Sequence, residues 1–251
     1  MNLTLITGGI KRIGRVVAQA FLAKGHHVII HVHHHDTQQQ QAFLQDYPAF
    51  QDKISFIAGD LTDMNQVQTM AQTVCEEYGV PDNLIHTASL FEKDSLQDFS
   101  WQEWQRHRAI HVDCMILWIN YFFQKRQQGQ KISITLLIDQ RTQMPTPEFF
   151  SYTASKIYLE SLIPLLAVST APFMRINGIS PGPVLKNYRQ SDEDFQQQIL
   201  HTPLQQQVLP TDLAKACVFL AECDSVTGQI LTIDSGQHLE WRTEAFCNIK
   251  E

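Results

Sequence analysis

Short apolar runs alternate with longer amphipathic stretches from one end of this chain to the other, and that alternation limits the fold more than any other feature. LTLIT (3–7), HVIIHV (27–32), KISFIA (53–58), NLIHTA (83–88), ISITLLI (132–138), FMRINGIS (173–180) and QILTID (229–234) have strand length and composition. Helical patterns fill the gaps at 11–24, 38–47, 63–78, 101–128, 151–169 and 210–222. Start signals stand at Asp63, at Ser100 and at Thr211 with Asp212. Strands separated by helices must run parallel through right-handed crossovers. The expectation is an α/β chain: one doubly wound parallel sheet of about seven strands with helices on both faces. No repeat or linker divides it, so residues 1–251 are read as a single domain. The glutamine runs at 38–41, 196–198 and 205–207 read as helix or loop surface. Residues 181–209 form the longest irregular stretch, a lid or substrate loop in such an architecture.

Charge and cysteine usage exclude several classes. A net charge of −7 with no block of like charges argues against a nucleic-acid surface. Five scattered cysteines (75, 114, 217, 223 and 247) form no Cys-x-x-Cys pair and suit reduced thiols. MNLTLITGG has no basic region leading into a long apolar stretch, and no apolar run reaches the ~18 residues of a membrane span. A soluble cytoplasmic protein is expected, without a membrane partner.

Glycines at 8, 9 and 14 lie between the first strand and the first helix. Bare backbone there admits a pyrophosphate, and the helix N-terminus supplies N–H groups and partial positive charge. The alternative is a plain tight turn. A Rossmann-type dinucleotide site follows, with Gly8, Lys11, Arg12, Ile13 and Gly14 at the phosphates. The second strand ends in His33, His34 and His35 before Asp36. An NAD site generally puts a carboxylate at this strand end. Donor groups here, with Lys11 and Arg12, favour a 2′-phosphate and therefore NADPH. His31 and His33 share a strand face, but further ligands for a metal are not suggested by spacing, so no metal is expected.

SYTASK (151–156) places Tyr152 and Lys156 one helical turn apart, where an ammonium lowers a phenol's pKa toward the working range. Taken with the glycine turn, GDLT (59–62), HTAS (86–89) and SPGPV (180–184), the set resembles the short-chain dehydrogenase/reductase family over nearly the whole chain. The resemblance implies that Tyr152 is the catalytic acid and that Lys156 tunes it and holds the nicotinamide ribose. It places Asp60 and Leu61 near the adenine and Thr87, Ala88 and Ser89 along the cofactor. Pro181, Gly182 and Val184 would line the nicotinamide pocket, with Pro183 and Ser89 toward the substrate.

Two departures from the general pattern resemble the pteridine reductase branch, dihydromonapterin reductases included, and two further positions agree with it. Arg12 replaces a glycine of the phosphate turn. Asp139 stands thirteen residues before Tyr152, where a serine is usual. Phe91 follows the fourth strand, and HVHH puts His34 at that branch's arginine position. That resemblance implies NADPH-dependent reduction of a dihydropterin, with weaker dihydrofolate turnover allowed. Phe91 and Arg12 would contact the pterin, and Asp139 with Tyr152 would manage the proton. A strand-end cap is the alternative role for Asp139. Thr87 and Asp113 replace two family asparagines, which keeps a non-catalytic NADPH-binding protein open beside a reductase of another carbonyl or imine. The apolar residues of 101–128 and 151–169 could face the sheet, but in the family that the chain resembles the corresponding helices form oligomer interfaces. The resemblance therefore implies a homotetramer, and apolar residues in the tail after 237 offer a further docking segment.

Overall fold

The computed structural model of the protein describes residues 2–239, so most of that tail lies outside the described residues. All seven apolar runs form strands: β1 (Leu3–Thr7), β2 (His27–Val32), β3 (Ile54–Ala58), β4 (Asn83–His86), β5 (Ile132–Leu137), β6 (Met174–Pro181) and β7 (Ile230–Ile233). They make one parallel sheet in the order β3-β2-β1-β4-β5-β6-β7. Eight α-helices are described: α1 (Arg12–Ala23), α2 (Thr37–Asp46), α3 (Met64–Glu77), α4 (Trp101–Arg108), α5 (Cys114–Lys125), α6 (Phe150–Thr170), α7 (Asp192–Leu200) and α8 (Pro210–Glu222).

Successive strand residues point to opposite faces, and both faces are covered. Leu5, Ile29 and Leu84 pack with Val67, Trp118 and Leu159 on one side. Their neighbours Ile6, Ile30 and Ile85 pack with Val17, Phe21 and Leu213 on the other. Every residue of β5 is buried. Each wholly buried Leu or Ile contributes roughly 2 kcal/mol of apolar transfer energy, which is why the strand runs tolerate so few polar residues.

Four expectations are corrected. The run 83–88 leaves the sheet at His86, because the N–H groups of Thr87 and Ala88 donate instead to Thr7 Oγ1, both at 3.1 Å. The helix read over 101–128 is interrupted by a π-helical turn at Ala109–Asp113 and ends at Lys125. The stretch 181–209 contains α7, started by a reciprocal capping box between Ser191 and Asp194. Helix α8 starts with Pro210 at its first turn rather than at a Thr211 or Asp212 cap. The caps at Asp63 and Ser100 stand where they were read.

Strand order reverses direction between β1 and β4, so the loops leaving these two neighbours diverge. A crevice opens there at the carboxyl ends of the strands, the usual ligand position in open α/β sheets. Among the described residues no helix is long and apolar enough to cross a membrane.

Candidate active site

That crevice is a cleft of about 820 Å³. The residues expected at cofactor or substrate line it: Gly8 and Lys11 to Gly14 on one side, His33, His34, Asp60 and Leu61 at one end, and Thr87 to Ser89 between them, whereas Gly9, His35 and Asp113 do not. Phe91, Asp139, Tyr152, Lys156 and the segment Pro181–Val184 complete it.

The cofactor end is built from backbone. A β-carbon at Gly14 would press on the Gly8 carbonyl oxygen and lie 2.6 Å from Thr87 Oγ1, so the turn closes only around glycine. Helix α1 has Lys11 at its N-cap with no side-chain cap, which leaves its first N–H groups for an anion. Arg12 takes a left-handed backbone, φ 52°, at the position where the wider family has glycine. Its guanidinium donates to the carbonyls of Leu185 and Lys186, all at 3.2 Å, and ties the turn to the segment after β6. At the β2 end the rings of His33 and His34 lie 3.8 Å apart, tilted by 39°, and His33 approaches Asp60 at 3.6 Å. Asp36 caps α2 through the Gln39 N–H. His31 does not join His33: it is buried, donates to the Gly59 carbonyl at 2.9 Å, and is pulled to about 4 by burial. Glycine cradle, open helix terminus and cationic rim fit a phosphorylated dinucleotide.

The catalytic end is built from side chains. Tyr152 Oη donates to Asp139 Oδ2 at 2.6 Å. Asp139 also caps the short 3₁₀ turn at Gln140–Thr142, with Oδ1 accepting the Arg141 N–H at 2.9 Å, so the capping role expected as its alternative is present beside the bond to Tyr152. Lys156 Nζ donates to the Leu137 carbonyl at 2.7 Å. The expected lowering of the tyrosine is corrected. Burial, reinforced by the Asp139 carboxylate, pushes Tyr152 well above the ordinary phenol value, and burial pulls Lys156 down to about 8. Tyr152 is therefore a fully protonated donor with its proton already directed at a carboxylate.

Phe91 meets the edge of Tyr152 at 4.7 Å and stacks on Phe149 at 4.3 Å with planes 5° apart. Phe149 is itself left-handed, φ 60°, at the N-cap of α6. Asp94 holds that corner: its carbonyl accepts the Phe149 N–H at 2.7 Å, and its carboxylate accepts the Ser151 N–H at 3.0 and 3.2 Å. A loop residue thus caps the helix that carries Tyr152.

Asp113, at the place of the family's relay asparagine, turns away to pair with Arg108 at 3.0 Å. His111 lies inside instead. Leu90 N–H can only donate to its Nε2 (3.3 Å), so Nδ1 carries the proton and donates to Ser155 Oγ (2.8 Å), which donates to the Tyr152 carbonyl (2.7 Å). Burial holds this imidazole neutral. Reading motifs did not single out His111, Asp94, Phe149 or Arg141. Only Arg141, two residues past Asp139, carried a positional hint.

A family model described as enoyl-(acyl carrier protein) reductase matches residues 9–238. The "FolM alternative dihydrofolate reductase 1" of Brucella suis, solved in complex with NADP, is 30% identical over 97% of this chain and 98% of its own, with a TM-score of 0.91. Its Brucella canis counterpart is 29% identical over 98% of both chains, with a TM-score of 0.89. The "putative oxidoreductase YtkK" of Bacillus subtilis is 27% identical over 94% of this chain and 96% of that protein. With a glycine phosphate cradle, a Tyr–Lys pair and relatives matched along nearly the full length, the chain belongs to the short-chain dehydrogenase/reductase family of nicotinamide-dependent oxidoreductases.

Proposed function

We propose that this protein is an NADPH-dependent pteridine reductase that adds hydride to C6 of a 7,8-dihydropterin and a proton to the adjacent N5. The observation that carries this reading is the direct hydrogen bond from Tyr152 to Asp139 beside the Phe91 ring. An ionised carboxylate only accepts, so Asp139 is poor equipment for steadying a ketone's developing alkoxide. Reducing a C=N bond asks for a proton held ready at a ring nitrogen, and a tyrosine kept protonated against a carboxylate is such a donor. Phe91 supplies an aromatic face for a flat heterocycle. The names of the two Brucella neighbours point to the same chemistry in those proteins.

Lys11, Arg12, His33 and His34 support NADPH over NADH. Asp36, the carboxylate nearest the β2 end, is engaged in capping α2. When bound, NADPH supplies the hydride. The chain does the rest: Tyr152 donates the proton and regains one from solvent, Asp139 orients the phenol by accepting its hydrogen bond, and Lys156 presents an ammonium anchored on β5. Leu165 and Val168 on α6 are 61% and 79% exposed, and with Ile116 on α5 they support assembly as a homotetramer through these helices.

The test is NADPH oxidation by purified protein with 7,8-dihydromonapterin, 7,8-dihydrobiopterin, dihydrofolate and a panel of ketones. Dihydropterin turnover is expected, falling about 10²- to 10⁴-fold in Tyr152→Phe with NADPH affinity retained. Asp139→Ser should lower dihydropterin turnover as well. Turnover of ketones alone, or faster dihydropterin reduction by Asp139→Ser, would sink the reading.

A further inference from the structure

Arg141 is the charged residue at the substrate end whose chemistry the proton-handling pair leaves unused. Its backbone N–H holds Asp139 Oδ1, which leaves Oδ2 to Tyr152. Its guanidinium stands 3.9 Å from Oδ1, outside hydrogen-bonding range, and 5.3 Å from the Phe91 ring centre. The side chain lines the cleft, and its Nε is buried with no hydrogen-bond partner among the described residues. The Nε is enclosed, so it is the terminal nitrogens of the side chain, for which no hydrogen bond is found among the described residues, that remain for an acceptor in the cleft Arg141 borders.

Tyr152, Asp139 and Arg141 form one rim beside Phe91, so a flat ring laid on Phe91 presents one edge to all three. In a pterin, N5 and the exocyclic 4-oxo oxygen lie on neighbouring positions along a single edge. Resting on the pteridine reading above, we infer that Arg141 is a specificity-determining residue that donates to the 4-oxo oxygen and thereby sets N5 against Tyr152. Arginine has donors and no acceptor. It favours 2-amino-4-oxopteridines and rejects 2,4-diaminopteridines, whose 4-amino group would face it donor to donor.

The experiment measures binding of a matched 4-oxo and 4-amino pteridine pair to the NADP⁺-loaded protein, at neutral pH where both rings are uncharged. It adds kcat and KM for a 7,8-dihydropterin, in wild type, Arg141→Met and Arg141→Lys. Wild type is expected to prefer the 4-oxo ring by about tenfold or more, the scale of a lost polar match in a site built to make it. Arg141→Met should bring the two ligands to within about threefold and raise KM more than it lowers kcat, with NADP⁺ affinity unchanged. Arg141→Lys, which keeps a single compact donor, should fall between them. It decides the matter if the methionine variant does not fold. An unchanged 4-oxo preference in either variant, or none in wild type, overturns the role of Arg141 while leaving the reductase reading intact. Wild type that turns over no dihydropterin overturns that reading instead.

Discussion

The two ends of the cleft are made of different material. At the cofactor end the contacts come from backbone: glycines that let strands and turn approach, and a helix terminus left without a side-chain cap. At the substrate end they come from side chains brought together from β4, α4 to α6 and the segment after β6. The glycine turn of the first lies within residues 8–14, although it closes against Thr87. The second depends on pairs far apart in sequence, such as Asp94 with Ser151 and His111 with Ser155. Backbone sites tolerate almost no added volume, whereas side-chain sites lose function in graded steps.

Gly14→Ala tests the first half of that contrast and should have the largest effect. The new methyl group has no space between the Gly8 carbonyl and Thr87 Oγ1. Forcing it in costs about 1–3 kcal/mol, felt as a ten- to hundredfold loss of NADPH affinity by titration. The turnover that remains at saturating NADPH should still respond to Tyr152→Phe. Unchanged NADPH affinity would remove the distinction between the two ends.

The same contrast explains what could be read in advance. Strand runs, parallel order and the phosphate turn are local patterns, and each falls within two residues of where it was read. Helix α7 was missed although Ser191 and Asp194 carry its capping signal, because a glutamine-rich run with Phe195 and Ile199 as its only buried residues gives a weak apolar stripe. The substrate end was legible only as far as resemblance reached: Asp139, Tyr152, Lys156 and Phe91. Asp94 was hidden because a cap supplied from a distant loop has no sequence spacing. Phe149 was hidden because a left-handed aromatic residue runs against local preference. The π turn that sets His111 inward was likewise invisible, since its extra residue is a property of packing.

A pH profile sharpens the comparison next. The histidines at the β2 end are exposed, whereas Lys156 is buried and has its pKa drawn down to about 8. For a base with a lowered pKa, the ammonium persists below that value and is lost above it. Tyr152, shifted upward, stays protonated throughout. Hence kcat/KM for the dihydropterin should be level up to the Lys156 value and then fall about tenfold per pH unit. A profile that stays level well above it would show that the ammonium has no part in proton delivery.

Asp94→Ala acts only on the substrate end and should be milder. Removing the carboxylate that caps α6 costs about 1 kcal/mol of stability, the usual magnitude of a helix N-cap. Because the same carboxylate holds the corner at Phe149 and Ser151, kcat should drop by about fivefold or less, while NADPH affinity stays constant. Denaturant unfolding together with steady-state kinetics would check both. A loss of stability with no change in kcat would make Asp94 a helix cap and nothing more.

Arg12→Gly gives the smallest change and probes the one residue that belongs to both ends. Glycine relieves a left-handed backbone, worth about 1 kcal/mol, and removes the exposed bonds to the Leu185 and Lys186 carbonyls, worth a similar amount. The two nearly cancel, so the melting temperature should hardly move. What does not cancel is the tether to the segment after β6. KM for the dihydropterin should rise by about threefold, more than KM for NADPH, because the remaining glycines and the open α1 terminus still grip the phosphates. If NADPH affinity falls and the dihydropterin KM holds, Arg12 serves the cofactor end alone. The left-handed arginine would then be a phosphate ligand rather than a hinge between the two halves of the cleft.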